Sequence, residues 1–339
     1  MIVEKLIYNV ALFFVMMIPG IILKRCKLVP DGLGKGISNL VLYIAQPVLV
    51  FLAYMVDFEL KILMNSLWVL LFSVVAHSIF AVVAVYIFRK APDRARRMLR
   101  VATIFGNAAF MGIPLIDSVL GSEATIYASV YNITFNLFLW SLGVKICVDN
   151  KDIDGDGISD EEHLRKKSGA SIKKALLHPV TLAAVFGLVF FFTPLNRYIV
   201  SDSPIVPLAF ARDALDKIKA LVVPLSMVVL GIRMAEINFK GFFKDKYVYI
   251  FLLLRHIALP LIVAAILRLV FLIPAFGSGA DVIKVVVILA ATPAASSATM
   301  FAEMYDGDSP YVSKLVAVST ILSILTMPIV YVIATIGLV

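Results

Sequence analysis

Two short segments gather most of the chemistry-bearing side chains in an otherwise apolar chain. Gly106-Asn107-Ala108-Ala109-Phe110-Met111-Gly112-Ile113-Pro114 sets a carboxamide between glycines and ahead of a proline, and Ala291-Thr292-Pro293-Ala294-Ala295-Ser296-Ser297 sets three hydroxyls around a proline. Glycine and proline weaken or remove helical hydrogen bonds. In a bilayer, backbone groups freed in this way persist only where protein or a watery cavity satisfies them. At about 1.5 Å per residue from a helix start near Met98, Asn107 falls close to mid-membrane. The second segment lies at a matching depth from the other side. Two helices broken at equivalent depths point to a solute site between them. Gly106, Gly112, Pro114 and Pro293 would shape it, while Asn107, Thr292, Ser296, Ser297 and the amide of Asn136 in the following span would supply hydrogen bonds. The amino termini of the half-helices would add partial positive charge. Ordinary proline kinks and small-residue helix contacts are the alternative for either segment alone, and the pairing is what favours a site.

Groups that could couple movement to an ion are scarce. A mid-membrane carboxylate costs several kcal/mol and tends to be functional, and the apolar runs are almost free of them. Asp117, just after Pro114, could cap the outer half-helix, line an exit path or hold a coupling ion. His77 and His256 fall in matching runs as protonation candidates, or as histidines satisfied between helices. Between the two halves, Asp152, Asp154 and Asp156 alternate around a turn-making glycine and are followed by Asp160 and Glu162. With the Ile158 carbonyl this reads as a shortened calcium loop, a twelve-residue EF-hand from Asp152 being ruled out by His163 at its last position. An acidic solvated linker is the alternative. Transport itself calls for no cofactor, so Ca2+ in this loop is the one ion expected.

The elements that must position these residues follow from composition. Of 339 residues 61% are hydrophobic and 16% charged, with a mean hydropathy of +0.97, against roughly 25% charged in a soluble domain. A soluble fold is excluded. Apolar runs long enough to cross a membrane as helix recur near 6–23, 37–55, 63–88, 98–120, 124–148, 177–194, 207–234, 248–273, 282–304 and 312–337, giving an all-α polytopic membrane protein of about ten spans. The net charge of +8 sits in alternate connections, around 24–35, 89–100, 151–174 and 240–246. That is the positive-inside pattern, which puts both termini outside; it is not a nucleic-acid surface. Cys26 and Cys147 fall at cytoplasmic span ends and are expected as free thiols. The first apolar run has no small-residue cleavage site and counts as a span, not a signal peptide.

Sliding the chain by about 179 residues brings His77 onto His256, Arg89 onto Arg268 and Pro114 onto Pro293. Duplication explains this economically, although any search over offsets finds some matches. Five spans per half would invert the second half: 1–148 is the first repeat, 149–175 a cytoplasmic linker and 176–339 the second repeat, with spans four and nine as broken crossing helices. An enzyme is not indicated. There is no zincin histidine pair, no Gly-x-Ser-x-Gly and no phosphate loop. No span carries the continuous polar stripe a channel needs.

Residues 106–115, the run Val223-Pro224-Leu225-Ser226-Met227-Val228-Val229-Leu230-Gly231, and Ala291-Thr292-Pro293-Ala294-Ala295 together resemble the auxin efflux carrier family over essentially the whole chain. The resemblance implies an elevator carrier in the plasma membrane, with spans one, two, six and seven as scaffold and homodimer interface and the other six as a mobile transport domain. It implies a small organic anion as substrate. Plant members place an asparagine on both crossing helices; here Thr292, Ser296 and Ser297 stand on the second, and indole-acetate is not the expected substrate. Export of an anion at about 100 mV, inside negative, gains roughly 2.3 kcal/mol, so uncoupled uniport suffices. A proton- or sodium-coupled carrier of the same plan is the alternative.

Overall fold

The computed structural model describes residues 2–147, 176–198, 206–237, 242–273, 279–305 and 307–337. The acidic loop, with Asp152, Asp154, Asp156, Ile158, Asp160 and Glu162, lies outside the described residues. The described chain is helical throughout, apart from one antiparallel bridge between Gly106 and Ala294. Seven helices among the described residues are long and apolar enough to cross a membrane. They are α1 (Ile2–Arg25), α2 (Leu33–Ala53), α3 (Leu60–Lys90), α6 (Ser122–Cys147), α8 (Pro207–Ala235), α9 (Lys246–Phe271) and α12 (Ser309–Thr335). Between them come shorter segments: α4 (Asp93–Ile104), α5 (Ala108–Leu120), α7 (Pro179–Phe191), α10 (Ala280–Ala290) and α11 (Ser297–Met304). The fourth and ninth apolar runs of the sequence are therefore not continuous helices. Each is a pair, α4 with α5 and α10 with α11, parted at the glycine- and proline-bearing segments.

Proline also sets the local form of the long helices. Proline cannot donate to the carbonyl four residues back, and its ring crowds that carbonyl. Val41–Ala45, Ala108–Gly112 and Leu254–Ala258 widen into single π-helical turns, and each is followed two residues later by a proline: Pro47, Pro114 and Pro260. The widened turn absorbs the missing hydrogen bond and rotates the side chains within it. Helix starts at the polar margins are capped: the carboxylates of Asp245 and Asp308 accept from the amides of Tyr247 and Tyr311, each at 2.9 Å. Cys26 and Cys147 are free thiols.

Packing gathers α1, α2, α7 and α8 on one side: α1 lies along α8, and α2 packs against α7 and α8. On the other side α3, α4, α6, α9, α10, α11 and α12 pack among themselves, and α5 lies against α6. The sides meet where α1 touches α5 and α12, α8 touches α5, and α2 touches α6. Without a hydrophobic force between helices in lipid, close approach of backbones through small residues carries the association. A Cβ on Gly20 would collide with the Val228 carbonyl, and one on Gly231 with the Met17 carbonyl. Gly231→Val is therefore expected to cost about 1–3 kcal/mol and lower the unfolding temperature of the detergent-solubilised protein. Gly36→Ala, whose added carbon meets nothing within 4 Å, should leave that temperature unchanged.

Candidate functional site

The two breaks cross at the Gly106–Ala294 bridge. The Asn107 amide donates to the Pro293 carbonyl at 2.7 Å, and the Ala295 amide donates to the Phe105 carbonyl at 2.9 Å. The loose backbone of each break thus satisfies that of the other, as a low-dielectric setting demands. Four half-helix ends converge: the carboxyl ends of α4 and α10, and the amino ends of α5 and α11.

The carboxyl ends are held by Arg255, which is 1% exposed. It lies on the π-helical turn that Pro260 imposes in α9. Its Nη1 donates to the Thr103 carbonyl at 3.2 Å; Nε and Nη2 donate to the Thr292 carbonyl at 3.0 and 2.7 Å, and Nη2 also reaches Thr292 Oγ1 at 3.3 Å. The Phe80 ring lies under the guanidinium at 5.4 Å. Glycine at 106 is a steric requirement, because a Cβ there would collide with Arg255 Nη2 and Thr292 Oγ1. Among intramembrane ionisable groups the sequence candidates were carboxylates and histidines, and this arginine was not one of them. The signal was available: Arg255 stands in the middle of the 248–273 apolar run.

At the amino ends Asn107 caps α5, its Oδ1 accepting from the Phe110 amide at 3.3 Å. Its Nδ2 is buried and has no hydrogen-bond partner among the described residues, and the same holds for Asn136 Nδ2 and Ser297 Oγ. A buried unpaired donor costs about 1–3 kcal/mol, so each is available to an acceptor. Thr292 and Ser296 are buried; the Thr292 hydroxyl donates to the Leu289 carbonyl at 2.7 Å, within its own helix turn. Gly112 packs its open face toward Leu289 and Thr292, and Pro114 ends the widened turn that starts α5. Gln46 of α2, not among the residues singled out in the sequence, donates through Nε2 to the Ala109 carbonyl at 2.7 Å.

The three coupling candidates sit apart from one another. His77 donates from Nδ1 to the Ser73 carbonyl at 2.7 Å and is ringed by Phe105, Tyr131, Phe135 and Phe138. His256 has hydroxyls on both nitrogens, Ser319 Oγ at 2.8 Å and Thr326 Oγ1 at 2.9 Å. Ser319 Oγ in turn accepts from the Ala294 amide at 2.8 Å, so His256 and α12 hold the second break in place. Asp117 is not at a helix start: it lies in the last two turns of α5, so it caps no amino terminus. It accepts from Thr125 Oγ1 at 3.1 Å and pairs with Lys219 of α8 at 3.2 Å. No sequence spacing announces that pair, because Lys219 comes from the other half of the chain.

A family model described as membrane transport protein matches residues 5–331. A relative from Methanothermobacter thermautotrophicus, described as an uncharacterized transporter, is 24% identical over 326 residues, 93% of each chain. Ser319→Ala strands the Ala294 amide and one His256 nitrogen in the interior and should cost about 1–3 kcal/mol. Ser323→Ala removes only a bond to the Thr320 carbonyl of the same helix and should leave the unfolding temperature nearly unchanged.

Proposed function

The chain belongs to the membrane transport protein family, that of the auxin efflux carriers, and we propose that it is a secondary carrier moving a small organic anion across the membrane through the crossing of the two breaks. The observation that carries this reading is the side-chain Nδ2 of Asn107: a buried donor with no partner among the described residues, at the amino end of a half-helix whose dipole has the sign an anion needs. The sign of the surroundings agrees. The negative carboxyl ends of α4 and α10 are taken up by Arg255, leaving the positive ends of α5 and α11 for a solute. Among the described residues no Asp or Glu is buried, so no interior carboxylate repels an anion.

Helices α1, α2, α7 and α8 serve as scaffold and homodimer face, and the remainder as a transport domain that shifts against them, with the two halves of the chain as inverted repeats. The grouping of packing contacts supports this division. Export as an uncoupled uniporter, in the plasma membrane with both termini outside, completes it.

Purified protein in proteoliposomes, given labelled small carboxylates and an imposed potential without proton or sodium gradients, tests the proposal. Potential-driven flux is expected. Asn107→Ala should lower it about 10- to 100-fold, the equivalent of one hydrogen bond to a charged group at about 1.5–3 kcal/mol, and should also lower the unfolding temperature, because it strands the Phe110 amide at a cost of about 0.5–2 kcal/mol. Flux that appears only with an ion gradient would replace the uniporter with a coupled carrier of the same plan. Asp117→Asn is expected to leave the ion dependence of flux unaltered, because Asp117 is engaged by Lys219 and Thr125.

A further inference from the structure

In carriers built on broken helices, unwound carbonyls and half-helix carboxyl ends are where coupling cations bind, since those oxygens carry the negative ends of the helix dipoles. In this chain the Arg255 guanidinium occupies that position. It takes the Thr103 carbonyl at the end of α4 and the Thr292 carbonyl and hydroxyl beyond α10, so one cation spans both breaks. Its oxygen partners are all neutral, a set suited to a single positive charge. Among the described residues no carboxylate lies within ion-pair distance of it. An arginine kept only for packing would gain nothing from such a position: burying an unpaired guanidinium is costly, and an apolar side chain would fill the volume without that cost. The Phe80 face and the absence of a side chain at Gly106 shape the remaining walls to the planar group.

We propose that Arg255 is a tethered replacement for a coupling cation: it supplies permanently, from α9, the positive charge that an ion-coupled carrier of this plan must bind from solution. This rests on the anion-carrier reading and gives it a physical cause. A charge that cannot leave the site conveys no ion gradient into solute movement, yet it holds the carbonyls of both breaks and keeps the solute side positive. Arg255 touches no solute in this scheme and acts as a positioning residue through Thr103 and Thr292.

The test is cation replacement in Arg255→Ala. Wild-type carboxylate flux should be equal in sodium, potassium and choline media and indifferent to added guanidinium. R255A flux in choline should fall by about tenfold or more, in keeping with the loss of charge-assisted hydrogen bonds, and should return saturably with added guanidinium or sodium. The unfolding temperature of purified R255A should rise with guanidinium over the same concentration range, and that of the wild type should not. Wild-type flux that needs sodium, R255A flux at the wild-type rate in choline, or a folded R255A in which neither flux nor melting responds to either cation would each overturn the assignment. The melting titration uses no carboxylate. A saturable rise in R255A with no carboxylate flux in the wild type would therefore keep the cation site and remove the carrier reading. If R255A does not fold, Arg255→Lys decides: it retains a tethered charge, so reduced flux independent of sodium and guanidinium supports the proposal, and flux seen only with added cation overturns it.

Discussion

Everything in this structure depends on the rule that peptide groups inside a bilayer must find partners within the protein. Breaking a membrane helix exposes several such groups, each costing several kcal/mol in hydrocarbon. The chain breaks two and lets each repair the other through the Gly106–Ala294 bridge, then adds side chains where backbone cannot reach. Arg255 satisfies the carbonyl ends, Asn107 satisfies an amide at the start of α5, and Ser319 satisfies the amide of Ala294. Several buried polar atoms among the described residues stay unpaired after this accounting, and the side-chain amide donors of Asn107 and Asn136 and the hydroxyl of Ser297 are among those that can still recognise something.

The same rule explains why consecutive residues do different work. Pro260 removes a donor in α9, the preceding turn widens, and Arg255 and His256 leave the regular helical sequence of faces. Arg255 turns to the two breaks while His256 turns to Ser319 and Thr326 of α12. A regular helix would separate neighbours by about 100° around its axis; the π-helical turn places these two where three other segments can be tied together at one level. The widened turn before Pro114 performs a related service at the start of α5, where the amides of Met111 and Gly112 both return to the Asn107 carbonyl.

Much of this was legible in the sequence, and the limits have physical causes. Long apolar runs and the two proline- and glycine-bearing breaks followed from local composition, which hydropathy and helix chemistry translate directly, whereas the family resemblance rested on the matching stretches 106–115, 223–231 and 291–295. The placement of Asn107 beside Pro293 was suggested by their shared depth. Arg255 was visible as a charge amid apolar residues, but the carbonyls it serves belong to α4 and to the break after α10, and only folding brings these together. Asp117, close after Pro114, was open between a cap, an exit path and a coupling ion; the helix start lies earlier, at the widened turn, and its partner Lys219 is a tertiary fact. Calcium-loop spacing at Asp152–Glu162 belongs to the sequence alone.

The bridge at the crossing joins residues from opposite halves of the chain, and that has a cost in time as well as in space. During synthesis the first break reaches the bilayer long before Pro293, Ala294 and Arg255 exist, so the Asn107 amide and the Thr103 and Phe105 carbonyls have no final partners. Until the second half emerges, the first must wait at the insertion machinery or in a watery, loosely packed arrangement. Biogenesis is therefore committed late, and a chain truncated before α9 would be left with a wound that no residue of its own can close.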